Sequence, residues 1–200
     1  AGAALFAQFA VWPLAVPGWT WYAPPPDPHM TCDHGLPVFI SPCSMVSKPS
    51  SMRRPADATP LFVMLAGAYW RRTGDTATIE RLWPNVERAL RWIEDHGDRD
   101  GDGFVEYAAR LPTGLRHQGW KDSEDSVSHA DGRLAEGPIA LCEIQAYVHA
   151  ALDGAATLAD VLGRAADART LRAAAEQLRV RFESAFWSDA IGTYVLALDG

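Results

Sequence analysis

The chain has 200 residues, of which 48% are hydrophobic, and its formal net charge is −7. A chain of this length and apolar content can bury one sizeable core, which excludes a disordered tail. The acidic balance lacks the basic stripe of a nucleic-acid-binding protein, so we expect no nucleic-acid partner. The apolar run over residues 1–16 is too short to span a bilayer, and we expect no membrane partner.

The three cysteines, Cys32, Cys43 and Cys142, do not form a disulfide framework, because their number is odd and small. Together with the missing basic export signal, this favours a cytoplasmic location. The spacing of Cys32 and Cys43 fits no common zinc pattern, so we predict no metal at these residues. We also expect no cofactor.

The first 55 residues differ in composition from the rest of the chain. Ten of the 14 prolines lie at or before Pro55, and only Asp27, Asp33 and Lys48 are charged within the first 52 residues. No helical or strand period is sustained there. We predict an irregular segment over residues 1–55, consistent with a foreign or frameshifted reading, and a helical unit over residues 56–200.

Helical periodicity begins at Ala58, and Gly74 predicts the end of this first helix. Four apolar residues fall on one face in the pattern of an amphipathic helix: Leu61, Phe62, Leu65 and Tyr69. Pro84 interrupts the next apolar stripe. We therefore predict a short turn ending near Trp83 and a second helix that begins at Pro84.

Residues 98–136 are rich in Gly, Asp and Ser and predict a long loop, of a kind that is usually functional. Pro138 predicts the start of a third helix that ends near Gly163, and a fourth covers about residues 166–185. Its inward residues are Leu171, Leu178, Phe182 and Phe186. Residues 192–198 alternate weakly and are expected to be extended. Paired helices without central strands predict an all-α fold, either a bundle, a solenoid or a toroid.

The loop begins with Asp98, Asp100 and Asp102 at alternate positions, like the first half of a calcium loop. Ala109 occupies the twelfth position, where such a loop needs a bidentate Glu. The pattern therefore favours a tight acidic turn, with a partial cation site as the alternative.

Residues 118–123 read Gln-Gly-Trp-Lys-Asp-Ser, which places an indole, an amide, an ammonium and a carboxylate close together. Sugar sites combine such groups, and glycoside cleavage adds a carboxylic acid that protonates the leaving oxygen. A solvated polar loop with one buried Trp is the alternative. Glu143 and Tyr147 are i, i+4 neighbours on the third helix, and their spacing fits either an exposed stripe or a pocket lining.

Four segments together resemble the catalytic region of bacterial amylo-α-1,6-glucosidase (glycogen debranching enzyme-like) proteins. They are residues 57–62, 103–107, 118–123 and 138–147, and the resemblance covers about residues 56–200. It implies an (α/α)6 barrel, a toroid of six helical hairpins, of which this chain is an incomplete part. It also implies an α-glucan or gluco-oligosaccharide substrate and an inverting acid/base mechanism, with the two carboxyl groups roughly 6.5–9.5 Å apart.

Carried over by position, the resemblance makes Asp122 the general acid, with Glu124 and Asp125 as rivals. It implies that Trp120 and Lys121 line the subsite and that Asp57 and Glu143 bind sugar hydroxyls. The weaker pocket candidates are Glu106, Arg110, Gln118 and Tyr147.

The chain departs from the family at residues 51–56, which replace a Tyr- and Gly-containing lead-in strand. The catalytic base is expected beyond Gly200, so the chain is expected to be a fragment. Two other functions stay open. One is another barrel enzyme, trehalase-like, exo-glucosidase or phosphorylase. The other is a non-catalytic helical module that binds sugar or protein, which predicts Asp122 facing solvent.

Overall fold

A computed structural model describes residues 56–108, 118–121, 123 and 125–199. The predicted irregular segment over residues 1–55 lies outside the described residues. The elements, in chain order, are α1 (Ala58–Thr73), α2 (Thr76–His96), β1 (Ile139–Leu141), α3 (Cys142–Val161), α4 (Ala165–Phe186), β2 (Trp187–Ser188), β3 (Thr193–Tyr194) and β4 (Ala197–Asp199). Helices dominate this part of the chain, which confirms the all-α class.

Helix α1 begins at Ala58 and ends before Gly74, as predicted. Gly74 is left-handed, with φ 66°, and its N–H donates to the Trp70 carbonyl at 2.8 Å. The amphipathic pattern nevertheless did not identify the buried face, since Leu61 and Leu65 are 40% and 68% exposed. The buried residues are Pro60, Val63, Ala66 and Gly67. Small residues lie at the contact because α1 and α3 approach closely there.

Helix α2 runs without a break from Thr76 to His96, so the predicted break at Pro84 is wrong. Asp75 caps its start by accepting a hydrogen bond from the Thr78 N–H at 3.0 Å. Pro84 lies on the exposed side, where water can bond the Glu80 carbonyl that proline leaves without a donor. The apolar stripe continues through the proline, with Ile79, Trp83, Val86, Ala89 and Ile93 buried. Burial of this stripe outweighs the roughly 3 kcal/mol that an internal proline costs.

The predicted helix start at Pro138 is also wrong, because Ile139–Leu141 form strand β1 and α3 begins at Cys142. Strand β1 pairs antiparallel with β4, with Ile139 opposite Asp199. Ile139 also exchanges two backbone hydrogen bonds with Tyr107, at 2.8 and 3.1 Å. Pairing with two segments distant in sequence therefore overrides the local preference of proline for a helix start.

Apart from the start of α3, the hairpin of α3 and α4 follows the prediction. Gly163, with φ 73°, lies in the turn between them. Leu178, Phe182 and Phe186 are buried as predicted, and the last two rings stack with centroids 4.5 Å apart. Leu171 is partly buried between the helices. Two short antiparallel strand pairs, β1–β4 and β2–β3, then bring the extended end of the chain back onto the helices.

The two hairpins, α1–α2 and α3–α4, pack through their first helices. A Cβ atom on Gly67 of α1 would lie 3.4 Å from the Gly154 Cα of α3, so the backbones nearly touch. Gly67 lies ten residues after Asp57, and Gly154 lies eleven after Glu143. Both helices rise by the same amount per residue, and the two acids lie near the same tyrosine. Helices α1 and α3 therefore run parallel, with their N-termini at one end.

The buried apolar residues form two clusters. One lies between the helices and includes Val63, Ile79, Trp83 and Leu158. The other joins β1 and the start of α3 to the extended segment around Val105. The second cluster thus supports the end of the molecule where the N-termini of α1 and α3 meet. No helix in the described part of the chain is long and apolar enough to cross a membrane.

Candidate active site

Asp57, Glu143 and Tyr147 come together where α1 and α3 begin. Asp57 is the N-cap residue of α1, yet its side chain makes no capping hydrogen bond. Glu143 lies in the first turn of α3, and Tyr147 follows one turn later. The pKa of Tyr147 is raised, first by burial and then by the negative charges of Glu143 and Asp57. The structure thus brings together three of the predicted site residues.

Tyr107 and Gln118 join this cluster. Burial raises the pKa of Tyr107 to about 12, and the charge of Glu143 adds to the rise, while a hydrogen bond from the Gln118 backbone opposes it. The Gln118 carbonyl accepts from the Ala56 N–H at 3.2 Å, and its side-chain amide donates to the Ala108 carbonyl at 3.2 Å. Gln118 therefore fixes the loop to the start of α1. Sequence reasoning did not select Tyr107 as a site residue.

Gly119 brings the loop directly against the start of α3. A Cβ atom at this position would lie 2.4 Å from Leu141 Cδ1 and 3.8 Å from Glu143 Oε1. Only glycine allows this approach without displacing Leu141, which is buried. The loop therefore lies over the carboxylate of Glu143.

One carboxylate oxygen of Glu143 has no hydrogen-bond partner in the described part of the chain. The Cys142 thiol donates to Oε2 at 3.7 Å, whereas Oε1 is buried and accepts no hydrogen bond from any described residue. Burial raises the pKa of Asp57, with the backbone N–H groups of Asp57 and Ala58 acting in the opposite direction. The cluster therefore places two carboxyl groups together, one of which has a buried oxygen that no described residue satisfies.

Trp120 and Lys121 flank the cluster on the solvent side. Trp120 is 65% exposed, so it is not the buried anchor of a merely structural loop. The Lys121 ammonium lies 5.5 Å from the centroid of the Trp120 indole. The loop is held after these residues by Ser126, whose hydroxyl donates to the Lys121 carbonyl at 3.2 Å and whose N–H donates to the Ser123 carbonyl at 3.1 Å.

Asp122, the predicted general acid, lies outside the described residues, as do Arg110 and the rival acid Glu124. Their roles stay predictions. The described residues on either side of Asp122 are Lys121 and Ser123.

Glu106 does not join the cluster. Its side chain is 6% exposed, and its Oε2 accepts from the Arg99 N–H at 3.3 Å. Burial raises the pKa of Glu106 to about 7, and the negative charge of Asp100 is the second cause. Neighbours in an extended segment point in opposite directions, so Val105 and Tyr107 face α3 while Glu106 faces the acidic turn. Its predicted contact with substrate is therefore not supported by this placement.

The acidic turn has the tight geometry that its sequence favoured. Asp98 accepts from the Gly101 and Gly103 N–H groups at 2.7 and 2.9 Å, and Asp102 accepts from the Phe104 N–H at 2.8 Å. Carboxylate oxygens of Asp98, Asp100 and Asp102 lie within 4.8 Å of one another, close enough to hold a cation. Calcium takes six to eight oxygens, more than these three side chains offer. Arg181 supplies a positive charge near Asp102.

A family model described as the mannosylglycerate hydrolase MGH1-like glycoside hydrolase domain matches residues 28–198. The match begins within the first 55 residues and ends within β4. No curated protein matches the chain. The helical hairpins form part of an (α/α)6 toroid, as predicted, and the implied substrate is a carbohydrate. The chain therefore belongs to the MGH1-like glycoside hydrolase family, whose domains are of the six-hairpin type.

Proposed function

We propose that this end of the toroid forms part of the active site of an inverting hydrolase that cleaves α-hexosides. Asp122 is the general acid, Glu143 and Asp57 bind sugar hydroxyls, and Trp120 with Lys121 lines the subsite. The observation that carries the proposal is the buried Oε1 of Glu143, which accepts no hydrogen bond from a described residue and lies beneath the loop at Gly119. Leaving a buried acceptor unsatisfied costs about 1–3 kcal/mol.

A sugar hydroxyl supplies the donor that Oε1 lacks. Tyr147, which is partly exposed, is a neutral phenol near pH 7 and can donate to or accept from a further hydroxyl. The exposed indole of Trp120 offers an apolar face for the C–H face of a pyranose. The cluster thus combines the two kinds of contact that a hexose requires.

The reaction follows from the carboxylic acid chemistry of such a site. Asp122 donates its proton to the glycosidic oxygen as the bond from that oxygen to the anomeric carbon breaks. A water oxygen bonds to the anomeric carbon from the opposite face, and a second carboxylate takes the water proton. We place this second carboxylate, the base, in a part of the protein beyond the described residues.

Two observations favour different glycosides. The motifs around residues 57–62, 118–123 and 138–147 favour an α-glucoside, as in the α-1,6-linked branches of an α-glucan. The description of the matching family favours a mannosylglycerate, whose glycerate carries a carboxylate. Lys121, adjacent to the proposed acid, supports the second substrate, because an ammonium near the leaving group can bind an anionic aglycone.

The test compares wild type with Asp122→Asn in the intact protein, on linear and α-1,6-linked gluco-oligosaccharides, trehalose and mannosylglycerate. We expect Asp122→Asn to lower kcat by at least about 10²-fold, the range of general acid catalysis, on the preferred substrate without weakening its binding. Asp125→Asn removes a rival acid of the same loop and should retain activity if Asp122 is the acid. Equal activity of wild type and Asp122→Asn would show that Asp122 is not the acid.

A further inference from the structure

The segment that follows the proposed acid folds as a small hairpin. The Ala135 N–H donates to the Val127 carbonyl at 3.1 Å, and the His129 N–H donates to the Arg133 carbonyl at 2.8 Å. Val127 and Ala135 are buried at its base, whereas His129 lies near its exposed tip. The base continues directly into Ser126, which bonds the carbonyls of Lys121 and Ser123. A shift of the hairpin therefore moves the backbone on both sides of Asp122.

The tip of this hairpin is tied to β4. His129 Nε2–H donates to Asp199 Oδ2 at 2.9 Å, and the same oxygen accepts from the Glu136 N–H at 3.1 Å. Asp199 lies opposite Ile139 in the pairing of β4 with β1. Because β1 leads directly into the first turn of α3, Asp199 connects the hairpin to the strand that positions Glu143.

We propose that His129, acting through Asp199, is a positioning residue that holds the backbone of Lys121 and Ser123 in register with Glu143. This inference rests on the proposed function of this loop and of Glu143. The buried base of the hairpin fixes its root, but only the contact between His129 and Asp199 links its tip to β4 among the described side chains. The other ion pair of the hairpin, between Asp131 and Arg133, is local to it and makes no contact with β4.

Loss of the contact between His129 and Asp199 should affect kcat more than the free energy of unfolding. Both side chains are partly open to solvent, and exposed ion pairs contribute little to the free energy of unfolding. Misplacement of a catalytic group by about 1 Å, in contrast, lowers the rate by up to about 10²-fold. Loss of the hydrogen bond between His129 and Asp199 should therefore lower kcat while the protein stays folded.

The test uses three variants of the intact protein. His129→Leu removes the donor, whereas His129→Gln keeps an amide N–H at a similar reach. Arg133→Leu is the matched control, because it breaks the local ion pair of the same hairpin. The readouts are kcat and KM on the substrate that the panel of glucosides, trehalose and mannosylglycerate identifies, and hydrogen exchange of the amides of Ser126 and Ala135.

We expect His129→Leu to lower kcat about tenfold with KM changed less than about threefold, and to accelerate exchange of both amides. His129→Gln should recover most of kcat, and Arg133→Leu should resemble wild type. Equal kcat and exchange in wild type and His129→Leu would overturn the inference, as would equal losses in His129→Leu and Arg133→Leu. If wild type cleaves none of the substrates, the proposed function fails. Hydrogen exchange alone then decides whether the tie holds the loop.

Discussion

Because the loop lies so close to β1 and the start of α3, we predict that Gly119→Ala, which adds one methyl group, lowers both the free energy of unfolding and kcat/KM. The added Cβ would lie 2.4 Å from Leu141 Cδ1, about 1 Å inside an ordinary contact. Because Leu141 is buried in β1, its side chain can shift only by repacking its neighbours, and otherwise the loop must shift. Such overpacking costs about 1–3 kcal/mol of the free energy of unfolding.

The effect on catalysis should be larger than the effect on stability. A shift of the loop by about 1 Å displaces Trp120 and Lys121 from Glu143, so kcat/KM should fall by about 10²-fold. Urea unfolding and steady-state kinetics on the intact protein measure the two effects separately. The partner variant is Leu141→Ala, which removes the clashing methyl group and leaves a cavity that costs about 2–5 kcal/mol.

In the Gly119→Ala/Leu141→Ala double variant, the alanine at position 119 has room. Its further effect on kcat/KM should therefore be much smaller than in the wild-type background, which a double-mutant cycle records as a coupling energy. If Gly119→Ala unfolds at the same urea concentration as wild type and keeps its kcat/KM, the loop does not rest on Leu141 and this reasoning is refuted.

Three further predictions follow from individual side chains. Because the pKa of Glu106 in the folded state is raised from 4.5 to about 7, the folded state binds the Glu106 proton more tightly than the unfolded state does. The free energy of unfolding of wild type should therefore fall by up to about 3 kcal/mol as pH rises from 5 to 8. Glu106→Gln should remove most of this pH dependence in urea unfolding, and an unchanged pH dependence would contradict the assignment. Pro84→Ala should raise the free energy of unfolding by about 2 kcal/mol, because it restores the hydrogen bond to the Glu80 carbonyl. If urea unfolding shows the same free energy of unfolding as wild type, α2 already compensates for the proline. Trp120→Ala should raise KM about tenfold and change the free energy of unfolding by less than about 0.5 kcal/mol. Trp120→Phe, which keeps an aromatic face, is the control. An unchanged KM in Trp120→Ala would show that Trp120 does not line the subsite.

The sequence was sufficient to predict the helices where local signals act alone. Gly74 and Gly163 mark helix ends by their left-handed backbone, which depends on the residue itself. Pro84 and Pro138 were equally local signals and predicted helix starts, yet no helix begins at either residue. A buried stripe carries α2 through the first proline, and pairing with Tyr107 and Asp199 makes a strand after the second. Both causes lie in contacts between residues far apart in sequence.

In the site, too, some features follow from the local sequence and others depend on contacts between residues far apart in the chain. The cluster of residues 118–123 drew attention by its composition, and the structure places its described members beside Asp57 and Glu143. The division between Glu106 and Tyr107 could not be read from composition, because both are adjacent polar residues in one motif. Alternation along the extended segment was the available signal: the side chain that shares the direction of buried Val105 is Tyr107.

The pairing of α1 with α3 explains why Asp57 and Glu143 meet although 86 positions separate them in the chain. Residues lacking a side chain, Gly67 and Gly154, let the two helices lie parallel in near contact, and parallel helices present their N-termini at the same end. Each N-terminus carries partial positive charge, which favours a carboxylate there. Burial opposes this by raising the pKa of Asp57. We expect the hydroxyl groups of the proposed hexoside to donate to both carboxylates and so to offset the effect of burial on Asp57.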